Sequence, residues 1–118
     1  MVNSLNASLN AIQSHFTKLQ TSAENIANLN TDGYKVKRVV ITQDPTGNPT
    51  ATISSDTKSG PSRMELNQQG ELVEIEMSNV DLATEYIKTM ESTQAIKANL
   101  KVAQTADELL GEIINTLA

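Results

Sequence analysis

The sequence contains no cysteine and no tryptophan, and aromatic residues make up only 3% of its 118 positions. Without cysteine the chain cannot form disulfides, iron–sulfur clusters or thiolate zinc sites. With so few aromatic side chains, a core has to be built from Leu, Ile, Val, Met and Ala, which suit seams between helices. Basic residues are also few, 9 against 14 acidic ones, and the net charge is −5. This balance argues against nucleic acid as a main partner, because phosphates are bound by basic surfaces.

Two kinds of targeting segment are missing as well. No apolar run approaches the roughly 18–20 residues needed to span a bilayer, so we expect no membrane insertion. The start of the sequence is polar and its first basic residue is Lys18, so it lacks the positively charged start of a secretory signal peptide. If the protein leaves the cytoplasm, we expect it to leave uncleaved by another route.

Apolar residues follow an unbroken heptad spacing in the first part of the chain. They step alternately by three and four positions: Val2, Leu5, Leu9, Ile12, Phe16, Leu19, Ala23 and Ile26. This pattern predicts a helix from about Val2 to Asn28. The stripe is narrow, which is typical of a coiled-coil seam rather than a broad buried face. Asn28 and Asn30 are expected to end the helix in left-handed conformation, which asparagine tolerates.

The last part of the chain has the same spacing. One heptad frame contains Ile96, Ala103, Ala106, Leu110, Ile113 and Leu117. It predicts a helix from about Asn79 to Thr116, and periodic runs beyond about 25 residues are typical of coiled coils or long hairpins. Ser78 or Asn79 is expected to cap the first turn, with Asp81 three residues after Ser78 as in a capping box.

The middle of the chain has a different composition and holds all three prolines. "VKRVVITQ" and "GELVEIEM" are strand-like, "TATIS" is a candidate third strand, and "SSDTKSGPSR" is expected to be a flexible connection. The predicted fold class is therefore mainly α with a small β unit. The long terminal helices pair as an antiparallel coiled-coil hairpin, and the middle forms a short β-hairpin or a three-stranded unit. Heptads alone leave open whether the seams close within one chain or join separate subunits.

No group of residues supports catalysis, a metal or a cofactor. His15 is the only histidine, and without cysteine a zinc site has too few ligands. The segment Asp44–Asn48 lacks the alternating ligands and closing Glu of a calcium loop. Glu74 and Glu76 share a strand face and are expected to be solvated opposite Lys35 and Lys37, rather than to form an acid–base pair. We therefore predict no catalytic, cofactor-binding or metal-binding residues and no enzymatic activity.

Motifs at the two ends of the chain resemble those of one family. The first comprises Asn25-Ile26-Ala27-Asn28, then Asn30-Thr31, then Gly33-Tyr34-Lys35. It resembles the N-terminal signature of bacterial flagellar axial proteins, which are the rod, hook and hook-associated subunits. "MSNVDLATEYI" (77–87) and "ANLKVAQTADELLGEIINTL" (98–117) are similar to the C-terminal signature of rod and hook proteins. The family usually has Arg and an aromatic residue where this chain has Gln94 and Ile96.

The resemblance implies a structural subunit that the flagellar type III export apparatus secretes without signal cleavage. Its terminal helices would pair in an inner tube, and further copies and other rod or hook subunits would bury the remaining apolar faces. Such subunits stack into the drive shaft that crosses the periplasm, and the short length favours a rod-type member. The alternative is a cytoplasmic flagellar regulator or export-associated binding protein with borrowed termini, which cell fractionation would find only in the cytoplasm.

The resemblance also implies the organisation of the chain. Within one structural domain, residues 1–30 form an N-terminal assembly helix, 31–77 a small β and loop unit, and 78–118 a C-terminal assembly helix. The residues expected in assembly or in the family signature are Leu5, Leu9, Ile12, Phe16, Leu19, Asn25, Ile26, Ala27, Asn28, Asn30, Thr31, Gly33, Tyr34, Ser78, Asn79, Val80, Asp81, Leu82, Ala103, Ala106, Leu110, Ile113 and Leu117.

Overall fold

A computed structural model describes residues 2–118, with side chains from residue 3 onward, so the Val2 side chain of the predicted stripe lies outside the described part. The elements are α1 (Val2–Ala27), β1 (Lys37–Gln43), β2 (Pro49–Ser55), β3 (Ser62–Leu66), β4 (Leu72–Glu76) and α2 (Leu82–Leu117). The molecule is elongated, 82 × 25 × 19 Å. The predicted class, mainly helical with a small β unit, is confirmed. Within residues 2–118 neither helix has an apolar stretch long enough to cross a bilayer.

The two helices pair antiparallel, as predicted. Near the end of α1, Asn25 Nδ2 donates a hydrogen bond to Glu85 Oε2 in the first turn of α2 at 3.1 Å. Two turns earlier on α1, Lys18 Nζ lies 3.6 Å from Glu91 Oε2, which is further along α2. At 1.5 Å per residue in both helices, this register places the start of α1 beside the stretch around Ala106. The last turns of α2, whose residues are all exposed, extend beyond α1.

The buried part of this helix pair is small and largely polar. Among residues 3–118 the buried hydrophobic side chains are Val36, Val80 and Ala106. The residues that α1 buries are Ser8, Ser14, Thr21, Ser22 and Asn25. The half-buried members of its apolar stripe are Leu5, Ile12, Leu19 and Ile26. Leu9 and Phe16, in contrast, are 52% and 59% exposed. Only one side of the stripe is therefore covered within the chain.

The first hairpin, β1 with β2, lies along α1. Its strands are antiparallel from Lys37↔Ser55 to Gln43↔Pro49. The Pro49 carbonyl accepts a hydrogen bond from Ser14 Oγ at 3.2 Å, and β1 alternates half-buried with exposed residues over its first five positions. The strands predicted from "VKRVVITQ" and "TATIS" are confirmed, and the half-buried positions of β1 face the helix.

The second hairpin, β3 with β4, stands apart. Its strands are antiparallel from Ser62↔Glu76 to Leu66↔Leu72. In the part of the chain that the structure describes, it contacts no other helix or strand. The strand β4 is predicted by "GELVEIEM", but β3 is not predicted, because its first residues were expected to belong to a flexible connection. The β unit therefore consists of two separate hairpins.

Both hairpins turn through the same kind of loop. Asp44 Oδ1 accepts hydrogen bonds from the backbone amides two and four residues later, both at 2.9 Å. Asn67 Oδ1 does the same, also at 2.9 Å. Gly47 and Gly70 follow these anchors by three residues and have φ of 86° and 78°, a region that glycine adopts without steric cost. The Asx-x-x-Gly spacing sets both turns, so the Asp44 carboxylate is used by its own loop.

The start of α2 differs from the predicted capping box. The N-cap residue is Asp81, whose side chain makes no cap hydrogen bond within the described residues; it accepts one from the Thr84 hydroxyl instead. Ser78 Oγ accepts from the amide two residues later, before the helix begins. Asn79 bonds to other segments, described below. The helix therefore starts at Leu82 rather than Asn79, and the capping prediction is wrong.

The end of α1 also differs from expectation. No residue other than glycine has a positive φ in residues 2–118, so Asn28 and Asn30 are not left-handed. Asn28 Nδ2 donates to the Glu24 carbonyl at 2.9 Å, which also accepts from the Asn28 amide at 3.1 Å. Gly33, at φ 70°, takes the left-handed position, and its amide donates to the Glu76 carbonyl at 2.9 Å. The chain reverses at Asp-Gly, as predicted, and asparagine contributes a side-chain bond rather than a backbone conformation.

Candidate functional site

Asn25, at the end of α1, is fully buried and connects three elements. Its Nδ2 donates to the Lys37 carbonyl at 2.8 Å and to Glu85 Oε2 at 3.1 Å. Its Oδ1 accepts from the Lys37 amide at 2.9 Å and from the Tyr34 hydroxyl at 3.1 Å. An amide side chain has two donors and an acceptor oxygen with two lone pairs, and all of them are used. Asn25 therefore pairs with the backbone at the start of β1 as a neighbouring strand would.

Asn79, just before α2, holds the same segment from the other side. Its Oδ1 accepts from the Val36 amide at 2.6 Å, and its Nδ2 donates to the Lys58 carbonyl at 2.9 Å. We call Asn25, Asn79 and the segment 34–37 the asparagine joint. The two asparagines come from the two terminal motifs of the sequence. The fold thus brings the motifs together at the point where the helix pair meets both hairpins.

Glu85 is the charged member of this region and is 1% exposed. Its Oε1 accepts from Lys88 Nζ at 2.8 Å. Burial alone would raise the pKa of the Glu85 carboxyl, but hydrogen bonds from Lys88, Asn25 and Ser22 outweigh burial and hold the pKa below its usual range. A carboxylate that is paired and hydrogen-bonded in this way stays ionised. Glu85 therefore acts as a structural anchor between the helices.

The second hairpin attaches to the joint through Glu76. Its Oε1 accepts from Lys35 Nζ and, at 2.8 Å, from the Gly60 amide. The hydrogen bond from Lys35 lowers the pKa of the Glu76 carboxyl. A Cβ at Gly60 would lie 2.2 Å from the Met77 carbonyl oxygen, so the two chain segments meet at a distance that only glycine permits. The predicted proximity of Glu76 and Lys35 is confirmed, but the prediction for Lys37 is wrong, because its ammonium pairs with Glu24 at the end of α1.

The predicted assembly residues fall into two groups. The inward members of the α2 frame are Ala103, Ala106 and Leu110, while Ile113 and Leu117 are exposed. A second apolar row of α2, which the predicted frame does not contain, faces solvent; its members are Ile87, Met90, Ala98, Val102 and Leu109. We call this row the outer stripe of α2, and Leu9 with Phe16 the outer stripe of α1. The sequence signal for the outer stripe of α2 was the apolar residues that flank the heptad frame.

The signature residues are distributed around the joint. The buried ones are Asn25, Ser78 and Val80. The half-buried ones are Ile26, Asn28, Tyr34 and Asn79, and the exposed ones are Ala27, Asn30, Thr31, Gly33, Asp81 and Leu82. The Thr31 hydroxyl donates to Asn28 Oδ1 at 3.1 Å. The sequence did not indicate that Asn25 and Asn79 bind the same segment.

His15 lies half-buried on α1. Its Nδ1 has no hydrogen-bond partner in the described part of the chain. Burial, and then the nearby charge of Lys18, lower the pKa of the imidazole. Among residues 2–118 no group of three or more His, Asp or Glu side chains could hold a metal ion. The site that the geometry presents is therefore a polar joint flanked by two exposed apolar stripes.

Comparison with protein families matches both ends of the chain. Residues 5–35, which contain most of α1 and the segment up to Lys35, match the flagella basal body rod protein model. Residues 68–116, which contain β4 and all but the last residue of α2, match the flagellar basal body rod FlgEFG protein C-terminal model. No curated protein matches the chain. Each match contains one asparagine of the joint, and the two occur in the order expected of one protein. The chain belongs to the flagellar basal body rod protein family.

Proposed function

We propose that the protein is a non-enzymatic structural subunit of the flagellar basal body rod, which assembles with copies of itself and with other rod or hook subunits into the axial drive shaft. Family membership supports a structural role in the basal body. On this proposal the chain leaves through the type III export apparatus and takes its place in the periplasm-spanning rod. Residues 1–30 and 78–118 act as assembly helices, and residues 31–77 form the outer unit.

The observation that carries the proposal is the pair of outer stripes. Within the chain, the helices bury mainly small and polar side chains, whereas Leu9 and Phe16 are exposed at more than half of their surface. On α2, Val102 and Leu109 are exposed as well. Burying a large apolar side chain contributes about 1.5–3 kcal/mol, so covering both stripes would stabilise an assembly substantially. Large contiguous apolar surfaces on soluble proteins mark interaction sites.

The overhanging end of α2 supports the same conclusion. Ile114 and Leu117 are exposed, and the last turn of the helix contains no basic residue that would offset its dipole. An isolated helix end of this kind has little to stabilise it. A neighbouring subunit that covers the overhang would supply the missing contacts.

The test introduces a charge on each outer stripe. Leu9→Asp and Leu109→Asp are expected to prevent incorporation into basal bodies while leaving export intact, because export requires an unfolded chain and the stripes act only after folding. The matched controls are Gln20→Asp and Gln104→Asp, which place the same charge at exposed polar positions of the same helices.

The measurements are the secreted amount of each variant, its presence in isolated basal bodies and the motility of the cells. Circular dichroism of the purified variants checks that the helices still form. Incorporation of both stripe variants at the level of the controls would contradict assembly through these faces. A fully motile deletion strain would contradict the rod function itself.

A further inference from the structure

The outer edge of β3 is a strand edge to which, within residues 2–118, no other segment of the chain forms a hydrogen bond. The other three strands each have a bond to the edge that faces away from their partner. These bonds reach Lys37 of β1, Pro49 of β2 and Glu76 of β4. All five residues of β3, in contrast, are exposed. An open strand edge of this kind is a template for pairing with a strand of another chain.

The backbone groups at this edge are defined by the register of the hairpin. Hydrogen bonds at positions 61 and 67, just outside the strand, join β3 to β4. Residues of an antiparallel strand alternate between bonding to the partner and pointing away from it, so Arg63 and Glu65 bond to β4. The residues whose amides and carbonyls point outward are Ser62, Met64 and Leu66. The strand has no proline or lysine that would protect this edge.

The charges of β3 are self-complementary about its central residue. If β3 pairs antiparallel with a second β3 about Met64, Arg63 of each copy lies directly opposite Glu65 of the other. Arg63 Nη2 and Glu65 Oε2 are 3.1 Å apart within one chain, so the four charges alternate in sign around the axis of the pair. Opposite charges that face each other across strands are stabilising and like charges are destabilising. Centring the pair on Arg63 or Glu65 would place like charges opposite each other, so the charges select the register about Met64.

The apolar side chains of the hairpin favour the same arrangement. Antiparallel partners point to the same side of a sheet, so Met64, Leu66 and Leu72 share one face, and they are 61%, 64% and 66% exposed. Pairing at β3 brings two such faces side by side in one four-stranded sheet, whereas a two-stranded hairpin is marginally stable by itself. Glu74, on the same face, would lie three strand spacings from its copy, about 14 Å. This distance exceeds the screening length of about 8 Å, so the repulsion is weak.

We propose that β3 pairs antiparallel with β3 of a second copy of this chain, with Met64 at the two-fold axis. Each hairpin joins the rest of its chain at the Ser62 end of β3, and antiparallel pairing places these ends on opposite sides of the sheet, so the two helix pairs do not collide. The contact is isologous and closes a dimer. It involves five residues from each chain, and small contacts of this kind are weak and reversible.

This dimer is separate from the proposed helix-based assembly. A two-fold axis directs the two helix pairs in opposite directions, whereas a shaft built by stacking repeats one orientation of its subunit. The β3 pair is therefore a form of the free subunit, which has to open before the subunit joins a shaft. The inference goes beyond the proposed function and does not depend on it.

The absence of native cysteine allows a direct test by cross-linking. Purified full-length Met64→Cys is treated with mild oxidant at increasing concentration. Directly opposed, hydrogen-bonded residues of antiparallel strands have Cα atoms about 5.5 Å apart, which a disulfide can bridge. We expect dimers joined through residue 64, identified by mass spectrometry of the linked peptides. The control is Thr52→Cys, at an exposed position in the middle of β2, which should stay monomeric under the same conditions.

Charge exchange provides the second arm, with the dimer dissociation constant measured by sedimentation. Arg63→Glu alone and Glu65→Arg alone are each expected to raise this constant by at least about tenfold, because the opposed charges then repel. Mixing the two variants should restore a dimer that contains one chain of each, since every opposed pair is again of opposite sign. The control Thr52→Glu adds a charge on β2 and should leave the constant unchanged.

The outcomes separate this contact from the proposed function. A parent chain that forms no dimer, Met64→Cys that cross-links no faster than Thr52→Cys, or charge variants that do not recover on mixing would each overturn the β3 pair. A dimer that Leu109→Asp abolishes and Arg63→Glu does not would also overturn it, because association would then use the outer stripe of α2. Arg63→Glu is expected to enter basal bodies at the parent level. Normal secretion without incorporation would place the β3 edge inside the shaft and contradict its assignment to the free subunit.

Discussion

Asn25 offers the sharpest test of how the fold is held together. Replacing it with alanine removes four hydrogen bonds at once: two to the Lys37 backbone, one to Glu85 and one from Tyr34. The loss affects both ends of each bond, because the Lys37 amide and carbonyl then have no partner in a position that is otherwise covered. We expect the first hairpin to detach from the helix pair more readily than it does in the parent chain.

The magnitude follows from the number of bonds. A typical protein hydrogen bond contributes about 1 kcal/mol net, and a buried group left without a partner costs about 1–3 kcal/mol. Four bonds, with some recovery by water entering the space, give a loss of about 3 kcal/mol. Domains of ordinary size have about 5–15 kcal/mol of stability, and this chain buries few hydrophobic side chains. Asn25→Ala should therefore lose a large share of its stability.

Two further variants separate hydrogen bonding from packing. Asn25→Asp keeps the shape of the side chain but loses both Nδ2 donors and brings a second carboxylate beside Glu85, so it should destabilise at least as much as alanine. Asn30→Ala is the matched control, since Asn30 belongs to the same motif but is exposed, and surface substitutions usually change stability by less than about 0.5 kcal/mol.

The assay is urea unfolding at low protein concentration, followed by circular dichroism for the helices. Amide hydrogen exchange over residues 37–43 reports the hairpin separately. A difference between Asn25→Ala and Asn30→Ala of less than about 0.5 kcal/mol, with unchanged exchange in β1, would refute the view that Asn25 holds the joint.

Two further predictions concern glycine and pH. Gly60→Ala should destabilise the chain because its Cβ would meet the Met77 carbonyl oxygen at 2.2 Å. Gly111→Ala, in open space on α2, should instead stabilise the chain by up to about 1 kcal/mol. Urea unfolding measures both changes, and equal effects of the two variants would contradict the close approach at Gly60. The lowered pKa of His15 gives a contribution to stability that is present above its ordinary value of 6.5 and is lost as pH falls through the lowered pKa. The lowered pKa of Glu85 likewise gives a contribution to stability that is present above the ordinary value of 4.5 and is lost as pH falls through the lowered pKa. The parent chain should therefore lose unfolding free energy between about pH 7 and about pH 5, and His15→Gln should lose less of it. If the variant and the parent chain lose the same unfolding free energy between these pH values, this role of His15 is contradicted.

The helices were predictable because their signal is repeated along the sequence. Apolar residues at every third or fourth position identify both α1 and α2 to within a few residues. A heptad pattern does not show which partner the apolar row meets, so it did not indicate which residues of α1 the chain itself buries. Ser8, Ser22 and Asn25 are buried instead, since their size allows close approach of the helices and their polar atoms can be paired.

The hairpins were only partly predictable. The strand β3 was missed because its five residues alternate weakly and follow a stretch rich in Ser, Gly and Pro. A usable signal was nevertheless present, since Asp44–Gly47 and Asn67–Gly70 share one spacing and form the same turn. Recognising the second copy would have placed a strand on each side of it.

The joint could not be predicted because its two asparagines are more than fifty positions apart in sequence and neither follows a periodic pattern. Asn79 even fits a helix cap by its local spacing, yet it bonds to Val36 and Lys58, because the buried backbone of the connector needs partners as much as the helix start does. The start of α2 is solvent-exposed and can be satisfied by water, whereas Val36 is buried. Competition for a buried backbone amide therefore decides where this asparagine binds. Each terminal motif therefore supplies one asparagine that holds the segment 34–37, and together the two asparagines attach the hairpins to the helix pair.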